Sequence, residues 1–151
     1  MNRGPRKTLW VAVLDGSKAL VFRNDGDAEY PVLRPVDVRD TDVPPDREIH
    51  TDKPGRMFDG TGHRSAVDQG DAHELEERRF VEDLIESLNS AALEGKFDQL
   101  LIYADSDSLG EIRDKYHDAL KSRLLEEFPL DIVNEPVDQL EKRVKEALQP
   151  S

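Results

Sequence analysis

Cysteine is absent from the chain, so no disulfide and no thiolate metal site can form, and the composition fits a reducing compartment. Aromatic residues are scarce, with one tryptophan and 6% Phe, Trp and Tyr in total. Few rings are available for nucleobases to stack on. No long apolar run exists either. The run near the N-terminus, Leu9–Leu14 after the basic head Met1–Lys7, ends at Asp15-Gly16. It is too short for a signal peptide and far below the ~20 residues of a membrane span, so it reads as the first β-strand of a soluble, cytoplasmic protein. Positive charge is in the minority: 21 Lys and Arg stand against 33 Asp and Glu, for a formal net charge of -12. Most of the surface must repel nucleic acid and anionic membranes at long range.

What is present suffices for one domain spanning residues 1–151, long enough to bury a core without staples. Thr8–Leu14 is nearly all apolar, which suits a central strand covered on both faces. Turn signals at Asp15-Gly16 and Asn24–Asp27 bracket Ala19–Arg23. Tyr30–Val38 alternates but carries Pro31 and Pro35, each of which removes a ladder donor, and so belongs at an edge. The first third is a three-stranded antiparallel meander. From Arg39 to Gly70 no periodicity is sustained, and about thirty residues without an element predict a mobile, lid-like or partner-ordered loop.

Beyond it, Asp71 and Glu74 form a capping-box pair that opens a helix. Its apolar positions Leu75, Val81, Leu84, Ile85, Leu88, Ala91 and Ala92 recur at helical spacing up to Gly95. Gln99–Ala104 reads as a buried parallel strand, and Ser108–Glu111 as a second capping box for a helix through Leu124 that Pro129 stops. Ile132-Val133 reads as a short strand, and Val137, Leu140, Val144 and Leu148 as the stripe of a last helix. Each buried strand needs apolar cover on both sides, so the expected class is α/β with a mixed five-stranded sheet: the meander, then helix-strand-helix-strand-helix. Right-handed crossovers place the fourth and fifth strands beyond the first. That order of elements resembles ribonuclease-H-like domains.

The polar chemistry gathers in Gly55–Phe80. Gly55, Gly60, Gly62 and Gly70 are four of the nine glycines, and they allow a backbone to approach a ligand closely. Arg56, His63 and Arg64 add donors, Phe58 is the one ring, and Ser65 and Asp68 complete a candidate binding loop, Arg56–Asp68. Between Lys53 and Ala66, Lys53, Arg56 and Arg64 face a single acid, Asp59, so a cationic island interrupts an acidic protein. A second candidate is the turn Asp15-Gly16-Ser17-Lys18, whose amides and Lys18 ammonium could cradle a phosphate, although a hairpin needs that glycine for its own geometry. Asp15 could also hold Mg²⁺ with Asp105 and Asp107, although acids after a strand are ordinary helix-start residues. His63, His73 and Glu76 lack zinc-site spacing, so neither a metal nor a cofactor is expected. Ser65 has no assignable base and acid. Glu74–Arg78 reads as an i,i+4 pair on a solvated face, with Arg64, Arg78 and Arg79 as alternative readers of phosphate.

Four stretches together resemble the bacterial host-attachment protein family: W-V-x-V-x-D-G-x-x-A at Trp10–Ala19, F-D-G-x-G-x-R-S-A-V at Phe58–Val67, H-x-x-E-E-R-R-F at His73–Phe80, and F-D-x-L-x-I-Y-A at Phe97–Ala104. The resemblance implies a role in attachment of bacteria to host cells. That family is in turn similar to the middle domain of archaeal and eukaryotic class-one peptide release factors, in which a Gly-Gly-Gln loop followed by Ser-Ala positions water at the peptidyl-tRNA ester. Gly62-His63-Arg64-Ser65-Ala66 falls where that loop stands, without the glutamine. The similarity therefore implies ribosome or tRNA contact and argues against hydrolysis.

The expected function is a non-catalytic binding protein that contacts RNA, the ribosome or another partner through the Gly/Arg-rich loop. One alternative is a metal-dependent phosphodiester or ester hydrolase on the ribonuclease-H-like scaffold. The other is a protein–protein interaction factor in adhesion or its regulation.

Overall fold

Leucine, tryptophan, valine and alanine fill every position of β1 (Leu9–Leu14), and all six side chains are buried. A strand with apolar groups on both faces is stable only inside a sheet that is itself covered twice. In the computed structural model, which describes residues 7–41 and 66–149, β1 is the central strand. It pairs antiparallel with β2 (Lys18–Asn24), placing Trp10 opposite Arg23 and Leu14 opposite Ala19. On its other side it pairs parallel with β4 (Gln99–Ala104), Leu9 opposite Gln99. β3 (Leu33–Asp40) and β5 (Leu124–Phe128) take the two edges, giving the order β3-β2-β1-β4-β5. This is the mixed, ribonuclease-H-like α/β sheet that the order of elements implied.

Alternation along β1 divides the interior in two. Trp10, Ala12 and Leu14 face α1 (Ala66–Leu93), whose Val81, Leu84, Ile85 and Leu88 cover them, together with Leu109 and Ile112 of α2 (Ser106–Arg113). Val11 and Val13 face the opposite way, toward Leu140 and Val144 of α4 (Val137–Leu148). Each such leucine or valine contributes about 1.5–3 kcal/mol when fully buried. The edge position expected for the third strand holds. Its register against β2 breaks between Val21 and Phe22, where Pro35 stands opposite Phe22, and the Leu33 N–H is donated to Glu141 Oε2 of α4 at 2.9 Å rather than to a strand. An edge interrupted in this way offers a poor template for another chain.

Five expectations are corrected. Of the irregular stretch 39–70, residues 42–65 lie outside the described residues, but Arg39 and Asp40 end β3 and Ala66–Gly70 are already helical. α1 is thus 28 residues long and starts ahead of the Asp71–Glu74 pair. No proline intervenes, and a single interior glycine, Gly70, costs about 1 kcal/mol, which a long packed face outweighs. Its other end is as expected: Gly95 takes φ 74°, and Gly95 N–H to Ala92 O and Lys96 N–H to Ala91 O close a Schellman motif.

The cap of α2 is Asp105, whose Oδ2 accepts the Ser108 N–H at 3.1 Å, so Ser108 is the capped residue and not the cap. The helix expected to run on to Leu124 stops at Arg113. Asn89 of α1, 2% exposed, donates to Lys115 O and accepts the His117 N–H, both at 2.9 Å. These bonds hold a connection leading into the one-turn α3 (Asp118–Lys121). The fifth strand is therefore Leu124–Phe128 and not Ile132-Val133, which are buried in the link before α4.

Candidate functional site

From β1 the chain moves outward through β2 and β3, and from β4 it moves the other way to β5. The crevice outside the carboxyl ends of two strands that part in this way is where open α/β sheets bind ligands. Here it is a bowl of about 550 Å³. Asp15 comes from the end of β1, Asp105 and Asp107 from the end of β4, Glu111 from α2, Glu74 and Glu77 from α1, and Asp131 from the link before α4; Arg78 is the one cation among them.

The Asp15 carboxylate is committed to its own turn. Its Oδ1 accepts the N–H of Ser17 at 2.8 Å and of Lys18 at 2.9 Å, with Ser17 Oγ at 3.4 Å. The amides that could cradle a phosphate therefore point at a carboxylate of this chain, and an anion would have to displace it. Lys18 reaches away to Asn134 Oδ1 at 3.3 Å. Gly16 has a packing reason: a Cβ there would sit 3.0 Å from Glu77 Cδ, so its absence lets α1 close against the turn.

Two contacts tie β3 and α1 to this rim. Thr41 N–H donates to Ser17 O at 2.8 Å, tying the end of β3 to the Asp15–Lys18 turn. α1 meets the same turn at Glu77, having begun at Ala66. Eleven residues at 1.5 Å each put the start of that helix about 16 Å beyond the contact. β3 therefore ends at the rim of the bowl, whereas the first residue of α1 stands about 16 Å from it along the helix.

Arg78 does not pair with Glu74. Its Nε lies 3.2 Å from Glu111 Oε2, a bridge between α1 and α2 at the edge of the cavity. Such a half-exposed pair is worth at most about 1 kcal/mol. Arg79 is exposed and has no partner among the described residues. Among the described residues Asp105 Oδ1 is buried without a hydrogen-bond partner, while Oδ2 caps α2.

Among the described residues, seven carboxylates against one guanidinium make the bowl electronegative, so they repel phosphate and attract cations or cationic side chains. Among the described residues no three His, Asp or Glu side chains form a group able to hold a metal ion. Asp15, Asp105 and Asp107 share a cavity without sharing a coordination sphere.

Of the residues singled out from sequence, Asp15 and Gly16 line the bowl and Lys18 flanks it. Arg56, Phe58, Gly60, Gly62, His63, Arg64 and Ser65 lie outside the described residues. Asp68 falls in the first turn of α1, where the backbone alone is described. Glu77, Glu111 and Asp131 were not singled out as part of such a cavity. A signal for two of the acids did exist: Glu74 and Glu77 stand seven and four residues before the buried Val81, so they extend its stripe past the sheet's edge.

A family model described as bacterial archaeo-eukaryotic release factor family 12 matches residues 8–144, from the start of β1 into α4. No curated protein matches the chain. Among the described residues no helix is long and apolar enough to cross a membrane.

Proposed function

The chain belongs to the bacterial archaeo-eukaryotic release factor family 12, and from that premise we propose that it is a non-catalytic, translation-associated protein that contacts RNA or the ribosome through residues 42–65. The observation that supports the reading is that both elements flanking that segment touch the bowl rim, β3 through Thr41 on Ser17 and α1 through Glu77 beside Gly16. Arg56, Arg64 and the glycines around them supply what phosphate recognition requires: cations on a backbone able to come close. The bowl itself has the wrong sign for RNA. In this reading the anionic cavity is the base from which a cationic segment works, and the protein acts in the cytoplasm. Gly62–Ala66 lacks the glutamine with which the release factors position water, which argues against ester hydrolysis.

Co-sedimentation with ribosomes and with structured RNA, at stepped salt, tests the proposal. Binding should weaken steeply as salt rises, and an Arg56→Ala/Arg64→Ala double variant should lose at least tenfold in affinity and about two in the salt slope. Unchanged binding by that variant would falsify the assignment. The rival readings have their own signatures. Mg²⁺-dependent cleavage of RNA or an ester that disappears in Asp15→Asn would make the bowl a hydrolytic site. Failure to bind RNA at any salt, with capture of a protein partner by the acidic surface, would favour an interaction role of the kind the host-attachment resemblance implies.

A further inference from the structure

We draw no further inference here: the strongest candidate, the groove of about 310 Å³ beside Trp10 between β2, β3 and α1, contains an indole whose buried N–H lacks a partner among the described residues, but nothing in the structure shows what covers it.

Discussion

The two ends of the sheet differ in how fully their charged and polar groups are tied into the fold. Where β1, β4 and β5 begin, polar groups are spent on backbone. Asp98 Oδ2 accepts the Thr8 N–H at 2.9 Å, the N–H groups of Asp98 and Gln99 return to Thr8 O, and Arg123 donates to Phe97 O at 3.0 Å and Ala119 O at 2.8 Å. Beneath them the Phe97 and Trp10 rings meet at 5.0 Å. Where β1 and β4 end, seven carboxylates and a single arginine line one bowl among the described residues; Asp15 and Asp105 bond backbone there. Asp107 and Asp131 have no hydrogen bond or ion pair among the described residues. Charges that return little to folding mark the end at which to look for function; the other end holds the molecule together.

Breaking the structural end should cost most. Phe97 is 0% exposed and packs on Trp10, so Phe97→Ala should remove about 3–5 kcal/mol. Urea unfolding followed by the fluorescence of the one tryptophan would read this directly, and a loss below about 1 kcal/mol would mean that the two ends do not differ as described.

Alkali tests the walls between the two ends. Burial pushes the Tyr103 phenol up to about 12 from its ordinary 10.0, and its hydroxyl donates to Arg143 O at 3.2 Å. Tyr116 is raised by burial and then by its 2.6 Å hydrogen bond to Glu127. A folded value above the unfolded one means that folding retains the proton. This contribution is whole below pH 10 and drains away as pH rises through the folded values. Tyrosinate absorbance from these two side chains should therefore appear together with loss of helical circular dichroism. Their ionisation between pH 10 and 11 in a still-folded chain would refute the assignment.

Arg123→Met is the next smaller break, since it keeps the packing stem but strips two backbone carbonyls of a charged donor. Charged hydrogen bonds of this kind are worth about 1.5–3 kcal/mol, so a loss of about 2 kcal/mol is expected. A neutral result would show the carbonyls satisfied by water.

That structural end was the more legible in the sequence. The unbroken apolar run of β1, the prolines before and within β3, and Gly95 after α1 each state a local requirement that the fold then meets. Leu124–Phe128 was not legible, because its strand character comes from pairing with β4 and from the anchor of Arg123, while Tyr116, Ala119, Leu120 and Leu124 carry helical spacing. The α2 cap was misplaced because Asp105 and Ser108 satisfy the same local pattern. The bowl could be read only in part. Asp15, Asp105 and Asp107 announce themselves at strand ends, whereas Glu111 and Asp131 join them only after two crossovers, from segments with no local mark of a site.

The smallest expected effect gives the sharpest test of the functional end. Asp107→Asn/Asp131→Asn removes two exposed carboxylates from the bowl without touching a described hydrogen bond. Relief of like-charge repulsion should leave stability unchanged or raise it by less than about 1 kcal/mol, and added salt should erase the gain. RNA binding should hold or improve, since the long-range field opposing phosphate becomes weaker. A stability loss above about 1 kcal/mol would show that these acids hold structure after all, and the contrast between the two ends would collapse. A loss of RNA affinity at unchanged stability would move the partner from the arginine-bearing segment into the bowl. The bowl would then bind through its carboxylates, by bridging cations or by base and ribose groups, and the role given to Arg56 and Arg64 would pass to the acids of the bowl.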